Sequence, residues 1–415
     1  MLRFAPSPTG DMTLSDLRIA LVNYLAAKER GEPLLVRMDD LDKAKVIEGK
    51  DTEIMQVLEK FAITHDQVYH QSEHLRIHQT LAVRLIEEEK AFVCTCDPQQ
   101  SVCSGSCETM ETADYLRLKE SGEPFVIRIK RPEGMIGFTD LLHGEIHTPL
   151  QQIEAFTILH TDATPTPDFA AACDDMLSDI SLVIRDEKYL VHTPQQEYVK
   201  RMLGYVKETV YLHLPAILDE QGEEITLLSL LAQGFIPDAI INYLITLSCE
   251  DIPSEIFYLP EAVSWFSLNK VTGQHDRFDR KKLRKINREH LRSMDDKLLS
   301  TLFGFADADI GKLAKLYLDE ASTINELAAH IRPILAPKRF EGEWEEPMRR
   351  IQQVLIDAPM FETFDVLVAY VTEQTGLSGE KLTVPLRLLL TGATEGPELE
   401  AVYPYIRSYL LEVIS

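Results

Sequence analysis

Leu2-Arg-Phe-Ala-Pro-Ser-Pro-Thr-Gly10, then Thr13-Leu-Ser-Asp16 opening an apolar stretch to Arg30, then Pro33-Leu-Leu-Val-Arg-Met-Asp39: these residues decide the fold. Leu2 to Ala5 is a short apolar strand, and Pro6-Ser7-Pro8-Thr9-Gly10 is a turn, because proline and glycine punctuate regular structure. Leu14, Leu17, Leu21, Tyr24 and Leu25 recur at helical spacing, so a helix is predicted from about Thr13 to Arg30, closed by Gly31. A second strand, Pro33 to Met38, ends in the acids Asp39, Asp40 and Asp42. Strand, turn, helix, strand is the βαβ opening of a parallel nucleotide-binding sheet, whose ligands sit at the carboxyl ends of the strands. The proline-rich turn and Asp39 therefore flank any site.

Outward from this opening, residues 87 to about 184 change to short strands and turns, such as Phe125 to Lys130 and Ile153 to His160. This stretch is predicted to be an insertion between two halves of the sheet. Helical periodicity resumes at Thr193 to Gly204. From Pro237 onward nearly every segment is predicted helical, with breaks at Pro253, Pro260, Pro333, Pro337 and Pro359. A chain of 415 residues has room for two to four domains, because single cores rarely grow beyond about 250 residues.

With 45% hydrophobic residues the chain buries real cores and is neither disordered nor fibrous. It holds no apolar run of about 18 residues and opens without a basic leader, which predicts no membrane partner and a cytoplasmic location. A formal charge of −25 opposes non-specific nucleic-acid binding, so any RNA contact needs a local patch. One such patch runs from His275 to Arg292, with Arg277, Arg280, Lys281, Lys282, Arg284, Lys285, Arg288 and Arg292 against Asp276, Asp279 and Glu289. On charge alone it is either an RNA contact or a solvated helix face.

Four of the six cysteines fall in Cys94-x-Cys96-x6-Cys103-x3-Cys107, inside a Gly/Ser/Pro-containing loop. Four soft ligands at this spacing suit a structural zinc ion; the alternative is a set of reduced, unliganded thiols. Cys173 and Cys249 are expected in cores.

Several blocks, in order, resemble the glutamyl-tRNA synthetase family of class I. They are Arg3 to Gly10, Arg37-Met-Asp-Asp-Leu-Asp42, Gly137 to Ile146 and Ile184-Arg185 with Thr193-Pro194. Phe235 to Leu244, Phe278 to Asn287 and Pro385 to Leu399 continue the series. The resemblance implies an α/β fold: a class I Rossmann-type parallel sheet with an inserted α+β domain, followed by all-α stem-contact and anticodon-binding-type domains. It places the catalytic-type domain at 1–86 and 185–245, the inserted acceptor-end domain at 87–184, the stem-contact domain at 246–320 and the anticodon-type domain at 321–415. It implies ATP with magnesium, glutamate and tRNA as ligands. The family often carries zinc where Cys94 stands, and the basic helix with Arg280, Lys281, Lys282 and Lys285 lies where relatives approach tRNA.

Against that pattern, both ATP signatures are degraded. Where the family has "HIGH", this chain has Thr13, Leu14, Ser15 and Asp16. The histidine is gone, serine replaces a glycine, and Thr13 with Asp16 has the spacing of a capping box. The family's lysine-bearing "KMSKS"-type loop should lie between Gly222 and Leu230, where the sequence is shorter and has two glutamates and no lysine. Arg3, Ser7, Asp39 and Arg185 match the family's amino-acid pocket, while Pro167, Ala171 and Lys188 depart from it. Arg3 and Arg185 have a structural alternative, pairing with Asp39, Asp40 or Asp174.

Three functions follow. The chain is a catalytically impaired or inactive relative acting through tRNA, a genuine synthetase or another protein; or an active glutamate–tRNA ligase with divergent ATP motifs; or a protein-interaction subunit that no longer touches RNA.

Overall fold

A computed structural model describes residues 1–415 other than 97–102, 104–106, 111–116, 119, 132, 154 and 274–276. The chain divides into two units, Met1–Leu228 with Leu244–Phe278, and Ser229–Tyr243 with Asp279–Ser415.

The first unit opens with β1 (Leu2–Phe4), α1 (Leu14–Arg30) and β2 (Leu34–Met38), as the periodicity predicts. Helix α1 starts where Thr13 caps it and stops where Gly31 turns left-handed at φ 63°, a conformation that costs glycine no steric strain. The chain continues through α2 (Lys50–Lys60), β3 (Gln67–His70), α3 (Leu75–Glu87), β4 (Ala91–Cys94), β5 (Val126–Ile129), β6 (Met135–Asp140), β7 (Gly144–Pro149) and β8 (Thr157–Leu159). It closes the sheet region with α4 (Pro167–Leu177), β9 (Leu182–Asp186), α5 (Thr193–Met202) and β10 (Val210–Leu214).

Seven strands form the main sheet in the order β3-β2-β1-β9-β10-β6-β7. All neighbours are parallel except β6 and β7. Strands β1, β2 and β9 are buried along their whole length, as expected of parallel strands covered on both faces. Strands β6 and β7 lie within residues 87–184 and extend the edge of this sheet. The remaining strands of that stretch form a separate antiparallel sheet, β4-β5-β8. The predicted strand Ile153 to His160 shortens to Thr157–Leu159, because residues 150–152 wind into a 3₁₀ turn that Ile153 N–H closes on Leu150 O.

Helices α6 (Leu227–Ala232) and α7 (Pro237–Ser248) straddle the boundaries of the two units and α8 (Leu259–Trp265) belongs to the first; the second unit continues from α9 (Arg280–Ser293) through α10 (Asp296–Thr301), α11 (Ala308–Lys315), α12 (Ile324–Leu335) and α13 (Glu345–Ile356). It ends with α14 (Phe364–Thr375), α15 (Glu380–Thr391), α16 (Leu399–Ile406) and α17 (Leu410–Val413). Its regular elements are helical throughout among the described residues. Two expected breaks are not breaks. Pro260 sits in the first turn of α8, where its missing N–H has no partner to lose. Pro333 lies inside α12 near its end, and the Lys338 ammonium donates to the carbonyls of Pro333, Ile334 and Ala336 at 2.8 to 3.0 Å, satisfying the last turn.

Candidate active site

The amino end of α1 is sealed by protein groups. Asp16 Oδ2 accepts from the Thr13 N–H at 2.8 Å and the Thr13 hydroxyl at 2.9 Å, and Asp16 N–H donates to Thr13 Oγ1 at 3.2 Å. This is the capping box read from the spacing. Leu14 N–H donates to Ile225 O at 2.8 Å, Leu227 N–H to Met12 O at 3.0 Å, and Thr13 bridges Thr226 in antiparallel fashion. Ser15 is buried, its Oγ accepting from Ile217 N–H at 2.8 Å. Upstream of Ile225 the chain folds into a tight hairpin, Leu218 bridging Glu224 and Asp219 accepting from the N–H groups of Gln221 and Glu223 at 2.9 Å. The two degraded stretches thus meet. The N–H groups of Thr13, Leu14 and Asp16, at the helix end that elsewhere attracts phosphate oxygens, are occupied, and a carboxylate stands among them.

Strand register gathers the next group. Leu2 pairs with both Leu34 and Leu182, and His213 with Arg185. With a side-chain period of two, Arg3, Arg37, Arg185 and His213 share one face of the sheet. Arg3 forks onto Asp175 of α4, Nε to Oδ1 at 3.0 Å and Nη2 to Oδ2 at 3.1 Å. Arg37 bridges Asp175 at 2.8 Å and Asp39 at 2.6 Å. Burial is the largest single influence on the Asp175 carboxyl and raises it, but Arg3, Arg37 and Lys200 together outweigh it and hold the group far below the usual carboxylate range. Arg3 therefore pairs with none of Asp39, Asp40 or Asp174. Asp174 points instead to α3, and Asp40 accepts from Ser72 N–H and hydroxyl at 2.8 and 2.6 Å. Ser7 is exposed in the turn, which is tied to the end of β2 by Asp39 N–H donating to Pro6 O at 2.9 Å.

Arg185 differs: among the described residues its hydrogen bonds reach only neutral acceptors. Nε donates to His213 Nε2 at 3.0 Å, Nη1 to Gln196 Oε1 at 2.8 Å, and Nη2 to Thr193 Oγ1 at 2.8 Å and Tyr189 O at 3.2 Å. Tyr189 and Tyr211 offer ring faces at 5.8 and 5.6 Å. Burial without a contacting carboxylate lowers its pKa to about 10. Because Arg185 Nε is a donor, His213 Nε2 must accept, so His213 Nδ1 carries the proton and donates to Asp140 Oδ2 at 2.7 Å. Burial first, and the nearby guanidinium, lower the His213 pKa. Asp140 also meets His143 Nδ1 at 2.8 Å, and His143 Nε2 meets Glu187 at 2.8 Å. Of the departures from the family pocket, Pro167 opens α4, Ala171 lies on it, and Lys188 Nζ pairs with Asp186 at 3.2 Å.

The four cysteine sulfurs come together at the end of β4, all within 4.8 Å of one another, with Cys96 at 4.0 Å from Cys103 and 3.6 Å from Cys107. A tetrahedron of sulfurs about 2.3 Å from zinc has edges of roughly 3.8 Å, so the donor set fits that ion. Burial pushes the free Cys94 thiol up to about 12. Most of the loop residues between Cys96 and Cys107 lie outside the described residues.

In the second unit, the arginines of α9 are largely committed within the fold. Arg284 forks onto Glu326 at 2.6 and 3.1 Å, Arg288 binds Ser322, Arg292 meets Glu289 and Asp319, and Arg280 donates to Gln233 at 2.5 Å. Arg280, Lys281 and Lys285 are exposed and Lys282 is half-buried. His275 and Asp276 of the basic stretch lie outside the described residues.

A family model described as tRNA synthetases class I (E and Q), catalytic domain, matches residues 1–285. The chain is 54% identical to glutamate–tRNA ligase 2 of a Sulfurovum species, with both chains covered completely. This chain belongs to the glutamyl-tRNA synthetase family. Glutamate–tRNA ligase 1 of a Nitratiruptor species is 42% identical, again over the whole of both chains. The crystal structure of a glutamate tRNA ligase from Elizabethkingia meningosepticum, in complex with its amino acid, superposes with a TM-score of 0.82 over 100% of this chain and 98% of that one, at 22% identity. The synthetase family's α/β fold is therefore shared. Membership alone does not decide whether this chain catalyses the reaction.

Sequence reasoning missed the acid of α4 that organises the arginines, although Asp174-Asp175 inside the apolar run Phe169 to Leu177 was a visible signal. It also missed the Asp140–His213 pair, which no local spacing announces, since the partners lie 73 positions apart.

Proposed function

We propose that this chain is a catalytically impaired or inactive member of the glutamyl-tRNA synthetase family that acts by binding tRNA or a genuine synthetase. The observation that carries this reading is the lacing of Met12 to Asp16 onto Ile225 to Leu227, with the Asp16 carboxylate at the helix end. Adenylate formation depends on positioning a triphosphate and spreading its developing charge over donors and magnesium. Here the N–H groups of Thr13, Leu14 and Asp16 are spent and no lysine stands in the adjoining segment. ATP–pyrophosphate exchange with glutamate is expected at background; clear exchange would eliminate the proposal.

The five-part division at residues 86, 184, 245 and 320 goes with this reading, as does a cytoplasmic location; among the described residues no helix is long and apolar enough to cross a membrane. Lys281, Lys282, Lys285 and Arg280 would supply phosphate contacts in the stem-contact part. The cysteine cluster would hold a structural zinc, because four protein ligands leave no open position for chemistry.

Arg185 favours a second reading. A buried guanidinium with only neutral partners suits a carboxylate ligand, and Arg3 and Arg185 share one sheet face with Asp39 beside it. Glutamate binding would then persist without ATP, or with weak activation by an altered route, which would make the chain an active ligase. Calorimetry with glutamate alone, followed by the exchange assay, separates these outcomes.

A further inference from the structure

Beside the Asp175 that the arginines hold, two imidazoles converge on one oxygen of the neighbouring Asp174. His74 Nδ1 and His78 Nε2 stand 3.0 and 2.9 Å from Asp174 Oδ1, and one donor atom from each of the three residues lies within 4.8 Å of the others. His74 ends the turn that leads into α3, and His78 lies one helical turn later, so both side chains project from one face. Asp174 and His78 are fully buried and His74 is 27% exposed. The ring of Tyr69 stacks on His74 with centroids 4.4 Å apart, and Gln71 Nε2 donates to Asp174 Oδ2 at 2.8 Å. The second carboxylate oxygen is thereby fixed and the first is left facing the imidazoles.

We propose that His74, His78 and Asp174 form a second metal site, distinct from the cysteines, for a borderline divalent ion such as zinc. Two imidazoles and a carboxylate are a donor set this ion class takes. Ligand atoms 2.0 to 2.2 Å from a tetrahedral ion are separated by about 3.3 to 3.6 Å, so the two imidazole–carboxylate spacings of 3.0 and 2.9 Å need to open by roughly 0.3 to 0.7 Å. The partly exposed His74 leaves a solvent-facing fourth position. One outer contact is of the kind that orients a metal ligand, the Gln71 amide on the second carboxylate oxygen, while the buried His78 Nδ1 has no hydrogen-bond partner among the described residues. Asp174 has only histidines in direct ion-pair contact. The ion would clamp α3 to α4 one residue from Asp175, and so position the carboxylate that holds Arg3.

The test uses the full chain, stripped with a chelator, reloaded with zinc and counted by native mass spectrometry after gel filtration. His74→Gln keeps a hydrogen-bonding side chain at a partly exposed position but removes the imidazole donor. The expected result is one ion fewer per chain in His74→Gln than in the parent, and the same loss in His78→Gln. A chain carrying Cys96→Ser and Cys103→Ser should retain one ion, and with cobalt(II) should give visible d–d absorption without thiolate charge-transfer bands. That absorption should vanish when His74→Gln is added. If His74→Gln has the far-UV circular dichroism of the parent and holds as many ions, or if the doubly serine-substituted chain binds no cobalt, the three residues are a hydrogen-bonded cluster and the proposal fails. The readout is a metal count and a spectrum, so it stands whether or not the chain activates glutamate.

Discussion

Arg3 and Asp175 meet through two parallel hydrogen bonds at 3.0 and 3.1 Å, with both side chains almost wholly out of water. Arg37 shares the same carboxylate, so neutralising Asp175 strands two guanidinium groups in the interior. Breaking one partner of a buried pair costs about 3–5 kcal/mol. Asp175→Asn is expected to destabilise the first unit by that order, read as a lower urea midpoint, whereas Ser7→Ala at the exposed turn leaves it unchanged. Equal midpoints for Asp175→Asn and the parent would refute the assignment.

Helix α1 carries its own seal. Thr13→Ala is expected to cost about 1 kcal/mol, the usual loss for an N-cap threonine, read as a fall in melting temperature. Asp16→Asn removes the anionic side chain, yet Leu14 N–H still donates to Ile225 O. Magnesium ATP is therefore expected to give no thermal shift in that single variant. A shift of several degrees would show that the carboxylate alone excluded the nucleotide.

Asp140 and His143 titrate in opposite senses. Although burial works the other way, His213, His143 and two backbone N–H groups hold Asp140 at about 2. Its folded pKa lies below the ordinary aspartate value, so its stabilisation, about 2 kcal/mol, is fully present above roughly pH 4 and fades as pH falls towards 2. For His143 the contacts with Asp140 and Glu187 outweigh burial and raise the pKa. That contribution is complete below about pH 6.5 and is lost as pH rises through the folded value. Denaturation midpoints from pH 2 to 9 should show both limbs, and His143→Gln should abolish the upper one and weaken the lower, because His143 also helps hold Asp140 down.

Lys281, Lys282 and Lys285 to glutamine should weaken tRNA binding in a gel shift and make the salt dependence shallower, by roughly 0.7–0.9 on a log–log plot for each phosphate no longer neutralised. Arg284→Gln tests the contrast. Its fork onto Glu326 lies within the fold, so it should cost stability more than affinity. An unchanged salt slope in the triple variant would remove this helix from any RNA interface.

Periodicity exposed the parallel sheet because the apolar positions of α1 and the buried runs of β1 and β2 are local features. The Thr13 and Asp16 cap was equally plain, since its partners are three residues apart. Proline misled at Pro260 and Pro333, because its penalty vanishes in a first turn and a lysine relieves it in a last one. The pocket was only half visible. Arg3 and Arg185 stood out by resemblance, but which acid neutralises Arg3 depends on how α4 is rotated, which places Asp174 and Asp175 on different neighbours. No spacing rule could have predicted that Arg185 would lack such an acid.

Thr226 and Thr13 pair across the point where the two divergent stretches touch, so neither can be remodelled alone. A graft of the relatives' lysine loop would have to prise Ile225 and Leu227 off Met12 and Leu14. A repair of the helix opening alone would leave the short hairpin latched across it. Rebuilding either stretch therefore means breaking the backbone contacts that tie it to the other.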